Sequence, residues 1–352
     1  MVTTVSFPGL GLEFELNRVA FSIGGFNVYW YGLLIGIGFM LAGTYALLNA
    51  RKVGVDSDRL IDVVMVGLVC GVIGARLYYV IFDWETFQGD LSKIFDIRQG
   101  GLAIYGGILA GMAGGIIMAK IRKVRVRPAM DLAAAGFLIG QGIGRWGNFV
   151  NVEAFGSNTN SILGMTGPKV VGYLTQVKNS GAAWAQSIDP HMPVHPTFLY
   201  ESIWCFVGFL LLFRYIKKRK FNGDIALRYM IWYGAGRFWI EALRTDSLML
   251  VPSIGLRVSQ LVAGIAVVVG VAAEIYFTHK FKDKPLMVKL AMTADNKAAV
   301  NKLSKEKTVI GLMTDTDTEL LASSPRKLFV ERTEAYNAEV KRTIAESGKT
   351  EK

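Results

Sequence analysis

The sequence predicts an all-α fold, a polytopic transmembrane helical bundle, on two observations. The first is composition: 52% of the residues are hydrophobic and 19% are charged, whereas soluble domains usually carry about 25% charged residues. The second is distribution, because the apolar residues lie in long runs rather than in alternating patterns. A soluble protein with buried helices is disfavoured, since such helices rarely recur at this length without a polar face.

Membrane-spanning helices are predicted wherever a run reaches about 20 mostly apolar residues, the length that crosses the hydrocarbon layer. About seven segments meet this measure. They are residues 28–50, 60–82, 102–119, 129–150, 197–215, 225–243 and 256–277. Inside them glycines recur four residues apart, as at Gly67 and Gly71 or Gly140 and Gly144. We expect helices to pack closely at these small residues.

The connections between the segments predict the orientation in the membrane. Lys and Arg mark cytoplasmic loops, and basic clusters follow the first, third, fifth and seventh spans, for example Lys217 to Lys220. The N-terminus is therefore expected outside and the C-terminus in the cytoplasm. The same placement accounts for the net charge of +11, so nucleic acid is not expected as a partner.

The chain divides into two predicted regions. Residues 1–279 form the membrane domain, which includes a long extracytoplasmic segment at 151–196. A connection of that length usually has structure or a function of its own. Residues 280–352 form a polar tail rich in Lys, Glu and Thr. We expect it in the cytoplasm as a peripheral appendage, in which 324–347 is compatible with a surface helix.

Ionisable side chains inside the spans suggest a functional site, because charges are costly in hydrocarbon. Those in the outer halves of their spans, or near the outer ends, are Arg76, Arg145, Glu201, Arg237 and Glu241. One interpretation is ion pairing that fixes helix register, as Arg237 and Glu241 can form at i, i+4. The other is a phospholipid phosphate site, because carboxylates are fewer than arginines and an arginine fork matches phosphate oxygens in pairs. On the inner side, solvated helix ends explain Asp62, Asp131 and Arg228.

The end of the fourth span, GIGRWGNFVNVEAFG, concentrates polar groups. Arg145 and Asn148 share a helix face at i, i+3, and so do Asn148 and Asn151. Glu153 follows them in the chain. A helix cap explains Asn151 alone but not Arg145 and Asn148 upstream, so this set is a candidate binding site.

Several motifs together resemble the prolipoprotein diacylglyceryl transferase family. The signature-like stretch is GRWGNFVNVE in the fourth span, and the other motifs come in family order over about residues 28–277. They are YWYGLL with Tyr31, GARLYYVIF with Arg76, GGLAIYGGILAG with Tyr105, HPTFLYES with His195, Tyr200 and Glu201, and YGAGRFWIEALRTD with Tyr233, Arg237, Glu241 and Arg244. Each fragment alone is weak, but the ordered set is highly specific.

The resemblance implies a multi-pass enzyme of the bacterial plasma membrane that performs the first step of lipoprotein maturation. In the family, phosphatidylglycerol donates its diacylglyceryl group to the thiol of a lipobox cysteine in a prolipoprotein signal peptide; a thioether forms and glycerol phosphate leaves. The implied catalytic residues are Arg145, Arg237, Tyr105 and Glu241, and cationic groups suit a leaving phosphate. The implied substrate-binding residues are Tyr31, Arg76, Asn148, Asn151, Glu153, Tyr233, His195 and Glu201. Neither a metal nor a cofactor is predicted.

The sequence departs from the family at Tyr105, where many members carry a histidine that is a candidate general base. Tyrosine ordinarily titrates near pH 10 and is a poor base at neutral pH, so Tyr105 is expected to donate a hydrogen bond or to position the substrate. His195 is the alternative base, although the adjacent Pro196 is also typical of a helix start. A third possibility is that no base acts and the arginines favour the thiolate, because a free thiol has a pKa of about 8.5.

Two other functions compete with the transferase. A transporter or channel for an anionic solute would also use arginines inside the membrane. Such a conduit needs polar groups in both halves of its spans, whereas this chain concentrates them in the outer halves. A non-enzymatic lipid-binding scaffold accounts for the arginines but not for the carboxylates and amides beside them.

Cysteines introduced at Ser180 and Lys218 are expected to react from opposite sides of the membrane. The first position lies in the extracytoplasmic segment and the second in a basic loop. Labelling with an impermeant thiol reagent measures the side on which each position is accessible. Reaction of both positions from the same side would contradict the orientation.

Overall fold

The structure is a computed structural model that describes residues 2–50, 53–96, 100–180, 185–245, 249–251 and 256–281. Within these residues the protein is mostly helical. The predicted surface helix at 324–347 and almost all of the tail lie outside the described residues.

In the described residues, long helices occupy all of the segments predicted as spans. They are α1 (Trp30–Ala50), α2 (Ser57–Phe82), α4 (Ile104–Ile121), α5 (Val126–Asn151), α7 (Thr197–Tyr215), α8 (Asp224–Leu243) and α9 (Val258–Lys280). Two shorter helices, α3 (Trp84–Phe87) and α6 (Pro168–Asn179), lie in the connections. The apolar runs therefore located the helices to within a few residues at each end.

Five of the described helices are long and apolar enough to cross a membrane: α1, α2, α4, α7 and α9. On α9, Val262, Val268 and Ile275 are 61%, 69% and 66% exposed. Apolar faces of this kind suit lipid rather than water. The chain is thus a polytopic helical membrane protein. The helices α5 and α8 are less apolar because α5 carries charged and amide side chains and α8 carries acidic and basic ones.

The all-α prediction is wrong in part, because the described residues also form antiparallel strand pairs. The strand β1 (Val2–Phe7) pairs with β2 (Leu12–Asn17), β3 (Val19–Ile23) with β4 (Phe26–Tyr29), and β5 (Met249–Val251) with β6 (Leu256–Arg257). The β3–β4 turn is Gly24-Gly25, with φ of 54° and 82°. A two-residue type I′ turn requires positive φ at both positions, which glycine adopts readily. These strands are two to six residues long, much shorter than a membrane span, so apolar runs of span length do not indicate them.

The chain forms two compact units that interleave along the sequence. As far as they are described, residues 1–45, 133–219 and 224–282 form the first unit, and residues 46–132 and 220–223 belong to the second. Among the predicted site residues, Arg76 and Tyr105 belong to the second unit. All the others belong to the first.

In the first unit, the long connection at 151–196 builds a small apolar core with the N-terminal strands. Val5 of β1 and Val170 and Leu174 of α6 are fully buried in this core, together with Phe149 and Phe198 from the ends of α5 and α7. Ser6 and Thr166 exchange backbone hydrogen bonds of 2.9 and 2.8 Å. The connection therefore has structure of its own, which rests directly on the helix ends.

In the second unit, α2 and α4 pack through glycines. A Cβ built on Gly74 would lie 2.1 Å from the Cβ of Ala110, and one built on Gly67 would lie 3.3 Å from the carbonyl oxygen of Gly111. In the first unit, Gly38 of α1 and Gly140 of α5 make a similar approach, at 3.1 Å. No described atom lies within 4 Å of such a Cβ on Gly144, so the packing prediction holds for only some of the spaced glycines.

The expectation of solvated helix ends at Asp131 and Arg228 is wrong. In the second unit, Asp131 is fully buried and accepts a hydrogen bond of 2.9 Å from the backbone N–H of Gly223. In the first unit, Arg228 pairs with Asp224 at 2.7 Å and also with Glu274 of α9. Sequence reasoning did not single out Glu274. Charges away from water need such partners, because burying them unpaired is costly.

Gly74→Ala and Gly36→Ala are expected to change thermal stability in opposite directions. The added methyl at Gly74 meets Ala110 and forces α2 and α4 apart, and overpacking of this kind costs about 1–3 kcal/mol. No described atom lies within 4 Å of a Cβ on Gly36 of α1. Alanine there gains helix propensity of up to about 1 kcal/mol. Melting followed by circular dichroism in one detergent measures both, and equal destabilisation would contradict the packing.

Candidate active site

A buried carboxylate, Glu201 of α7, lies at the centre of the polar groups in the first unit. Glu201 is 3% exposed. Its Oε1 accepts from Arg145 at 2.6 Å and from the hydroxyl of Tyr233 at 3.3 Å, while its Oε2 accepts from Arg237 at 3.4 Å. An ionised carboxylate is costly to bury alone, and the two guanidinium groups supply opposite charge at contact distance.

The charged groups meet because α7 runs antiparallel to α5 and α8. Glu201 lies in the second turn of α7, whereas Arg145 and Arg237 lie in the last two turns of α5 and α8. Between α5 and α7, Trp146 donates to the hydroxyl of Ser202 at 3.1 Å, and that hydroxyl donates to the carbonyl of Gly142 at 2.8 Å. The site thus forms at one end of three helices.

A tryptophan pair holds α7 against α8 beside this cluster. The rings of Trp204 and Trp232 stack with their centroids 4.4 Å apart. Each indole N–H donates to the other residue's carbonyl oxygen, at 2.9 and 3.0 Å. A Cβ on Gly208 or Gly236 would lie 2.3 or 2.2 Å from an indole nitrogen. The two glycines therefore make room for the pair, which fixes the register of the helices that carry Glu201 and Arg237.

A hydrogen-bonded branch leads from Arg145 to the loop after α5. Arg145 donates to the Asn148 side-chain oxygen at 3.3 Å, and the Asn148 amide donates to Glu153 at 2.9 Å. The Asn151 amide donates to the same Glu153 oxygen at 3.2 Å. The structure thus brings together the cation, amides and carboxylate that the sequence motif suggested.

The loop that carries Glu153 is strained on both sides. Val152 and Ala154 have φ of 48° and 57°, in the left-handed region that side chains other than glycine rarely adopt. Each such residue costs on the order of 1–3 kcal/mol unless its surroundings impose it. Val152 is held in the apolar core, and the carbonyl of Ala154 accepts a hydrogen bond from the hydroxyl of Thr197. The fold thus maintains an unfavourable backbone that fixes the position of Glu153.

Both arginines of the cluster have acidic partners, although the sequence indicated fewer carboxylates than arginines. Arg145 pairs with Glu201, and Arg237 pairs with both Glu201 and Glu241, the latter at 2.6 Å. These residues carry two positive and two negative charges. The sequence could not show the Arg145–Glu201 pair, because the two residues lie 56 positions apart and meet only through helix packing.

Residues 18–276 match the model of a protein family described as Prolipoprotein diacylglyceryl transferase. The chain belongs to the prolipoprotein diacylglyceryl transferase family. A phosphatidylglycerol–prolipoprotein diacylglyceryl transferase from Clostridioides difficile (strain 630) is 38% identical over 268 residues, covering 76% of this chain and 98% of the relative. Its counterpart from Bacillus cereus (strain G9842) is 42% identical over 256 residues, covering 72% and 89%. The family resemblance of the motifs is confirmed, and the transporter and scaffold alternatives are set aside.

Two further predicted residues of this transferase, Tyr31 and His195, also belong to the first unit. The ring of Tyr31 lies against Gly147, where a Cβ would be 2.5 Å from a ring carbon. The ring nitrogen Nδ1 of His195 lies 3.2 Å from the hydroxyl of Tyr200. Burial lowers the pKa of His195 below its usual range, which favours the neutral ring at neutral pH.

The remaining predicted residues, Arg76 and Tyr105, lie in the second unit of the transferase. The guanidinium of Arg76 donates to a ring of backbone carbonyls at 2.6–3.1 Å, those of Lys93, Ile94, Asp96, Gly100 and Gly101. It therefore orders the connection between α2 and α4. Tyr105, in the first turn of α4, is 65% exposed.

Sequence reasoning missed two cations beside the Glu153 loop. Arg18 and Lys169 both donate to the backbone carbonyl of Asn151, the last residue of α5. Cations are favourable at a helix C-terminus, where carbonyl groups lack helical partners. In the sequence, these two residues are marked only by their positive charge outside the predicted spans. Such a charge is also typical of solvated surface residues.

Glu201→Gln is expected to destabilise the transferase more than Glu153→Gln does. Removing one partner of a buried ion pair typically costs about 3–5 kcal/mol, and the change at Glu201 takes a counter-charge from two arginines. Glu153 accepts from neutral amides, so the same substitution there leaves no guanidinium unpaired. Melting temperatures in a single detergent compare the two variants. Equal losses would contradict the central role of Glu201.

Proposed function

We propose that this protein transfers the diacylglyceryl group of phosphatidylglycerol to the thiol of a lipobox cysteine in a prolipoprotein. The thiol loses its proton, and the sulfur attacks the glyceryl methylene carbon that bears the phosphate ester. A C–S thioether bond forms as the C–O bond breaks, and its electron pair leaves with glycerol phosphate. Membership in the family and the names of its relatives support this reaction as the first step of lipoprotein maturation.

The observation that carries the proposal is the pair of arginines held at one end of α5, α7 and α8. A guanidinium has five N–H donors, and the described contacts of Arg145 and of Arg237 engage only two nitrogens each. Donors therefore remain for phosphate oxygens. Glu201 and Glu241 hold the planar guanidinium groups of the two arginines in place. Preorganised cations of this kind stabilise charge that develops on a leaving phosphate.

The other predicted residues take supporting roles in this proposal. Asn148, Asn151 and Glu153 form a network that can orient headgroup hydroxyls. Tyr31 can donate a hydrogen bond to the lipid, and the Tyr233 hydroxyl, which donates to Glu201, can accept one. Arg76 acts indirectly, because it orders the connection between α2 and α4. The base remains a choice between His195, whose neutral ring can accept a proton, and solution, with Tyr105 as a hydrogen-bond donor.

We also propose that all of the long helices span the plasma membrane, with the N-terminus outside and the C-terminus cytoplasmic. The charges of α5 and α8 are mostly paired, which lowers the cost of placing these helices in lipid. The arginine end of the helices then faces outward, where phospholipid and an exported signal peptide meet. Residues 1–279 act as the catalytic domain in this scheme, and residues 280–352 form a cytoplasmic appendage.

The test is direct lipidation of a peptide. Purified protein is incubated with phosphatidylglycerol and a lipobox peptide, and the peptide mass is expected to rise by one diacylglyceryl group. A peptide with serine in place of the cysteine is the control and should not change. An unchanged mass for the cysteine peptide, with folded protein, would rule the transfer out.

Arg145→Lys and Arg237→Lys are each expected to lower turnover by about a hundred- to thousandfold, the usual cost of losing one transition-state contact. Lysine keeps the charge but not the planar fork that binds phosphate in pairs. Activity per folded molecule is measured beside a melting curve.

Arg228→Lys is the matched control for these variants. Arg228 lies near the other end of α8 and pairs with Asp224 and Glu274. Activity per folded molecule should stay near wild type. Near-normal turnover of the Arg145 and Arg237 variants, with a lowered melting temperature, would make these arginines structural.

Tyr105→Phe is expected to lower turnover, whereas Tyr105→His should retain it. A hydroxyl or imidazole N–H can donate a hydrogen bond to the substrate, and phenylalanine cannot. Tyr78→Phe, which removes a hydroxyl from α2 in the same unit, serves as the control. Equal activity with Tyr, Phe and His at position 105 would remove this residue from the mechanism.

A further inference from the structure

A polar pair joins α5 and α8 one helical turn deeper than the arginine cluster, which is Glu201 with the two arginines that pair with it. The amide nitrogen of Gln141 donates to the hydroxyl of Tyr229 at 2.9 Å. These two residues lie four positions before Arg145 and Tyr233, respectively. Four residues span about 6 Å along a helix, so the pair lies farther from the ends of α5 and α8 than the cluster does.

The pair has hydrogen-bonding capacity that its described contacts leave unused. The side-chain oxygen of Gln141 is shielded from solvent, and no donor among the described residues binds it. The Tyr229 hydroxyl accepts from Gln141, and none of the described hydrogen bonds uses its own proton. Buried polar groups without partners are costly, and lipid offers no water that could replace a partner. The pair therefore suits a ligand that supplies both a donor and an acceptor.

The packing of α1 on α5 leaves room beside this pair. Atoms of α1 lie within 4 Å of a Cβ built on Gly140 or on Gly147 of α5. Gly144 lies between these two contacts on the same face, and no described atom lies within 4 Å of a Cβ built on it. Gly144 also follows Gln141 by three residues, which places both on one side of α5. An extended backbone can approach a helix closely at such a glycine.

We propose that Gln141 and Tyr229 bind one peptide group of the acceptor polypeptide, in the segment next to its reacting cysteine. A backbone peptide group carries one N–H donor and one C=O acceptor. The N–H donates to the Gln141 oxygen, and the Tyr229 hydroxyl donates to the C=O. The diacylglyceryl group of the lipid has ester oxygens but no donor, so it cannot pair with the Gln141 oxygen. This inference rests on the proposed function, in which the acceptor is a prolipoprotein.

The position of the pair suits an acceptor that reacts inside a membrane. An extended segment at that depth has backbone groups that no helix satisfies, so the protein must supply their partners. The ring of Tyr229 stacks on that of Tyr233 with their centroids 5.7 Å apart, and the Tyr233 hydroxyl donates to Glu201 at 3.3 Å. The bound peptide group therefore lies one helical turn from the carboxylate that holds both arginines, which brings the cysteine next to the lipid phosphate.

The test measures binding of a lipobox peptide with serine in place of the cysteine, which separates recognition from transfer. A labelled peptide is titrated with the full chain in detergent, and fluorescence anisotropy gives its affinity. In a series of peptides, each backbone amide near the serine is replaced in turn by an ester, which removes the N–H. One ester peptide is expected to bind wild type about fivefold or more weakly than the all-amide peptide. Gln141→Leu should bind both peptides with the same reduced affinity.

Two further variants separate peptide binding from a purely structural role. Tyr276→Phe, which removes a hydroxyl from an exposed position of α9, should bind the peptide like wild type. The double variant Gln141→Leu/Tyr229→Phe should lose affinity but melt no lower than wild type, because replacing both partners by apolar groups leaves no buried group unpaired. A bond that only ties α5 to α8 would instead leave the peptide affinity of this variant unchanged.

Equal affinity of wild type for every ester peptide, or an ester effect that persists in Gln141→Leu, would overturn the peptide site. Lipidation of the cysteine peptide by the same wild-type sample is followed in parallel by mass. Lipidation together with peptide binding that does not depend on Gln141 overturns this site alone. Gln141-dependent binding without lipidation supports the site and overturns the proposed function.

Discussion

The pairing of one buried carboxylate with two arginines is the interaction on which the site depends. Glu201 is almost fully buried, and an ionised carboxylate in such a place needs opposite charge at contact distance. Arg145 and Arg237 supply that charge from two other helices. The same contacts require α5, α7 and α8 to meet at one end in a fixed register, so the electrostatic constraint and the helix packing support each other.

Charges inside the helices of this transferase are stabilised in different ways. Around Glu201 and around Arg228, opposite charges from several helices pair with one another. Arg76 instead binds backbone carbonyls of a nearby connection and orders it. An ionisable residue in a span therefore does not by itself mark a ligand site. Its partners decide whether it retains donors for a ligand, as the guanidinium groups of Arg145 and Arg237 do.

The loop after α5 is the start of the long connection at 151–196, and it joins the arginine cluster to the small apolar core of that connection. Its backbone is strained at Val152 and Ala154, and the small core of β1, α6 and the helix ends holds it in that form. Stability of this small core thus maintains the position of Glu153. This coupling gives the long connection a structural role beyond joining two helices, since it holds the loop that carries Glu153.

The sequence alone determined the helices, because lipid requires long apolar segments and their length follows from membrane thickness. It also determined the family, through ordered motifs that include Arg145, Asn148 and Glu153. Only the tertiary structure decided the partners: Glu201 for Arg145, backbone carbonyls for Arg76, and Glu274 for Arg228. Such pairs join residues 17 to 56 positions apart. Local periodicity carries no information on which helix faces meet, since that choice depends on packing and on compensation of buried charge.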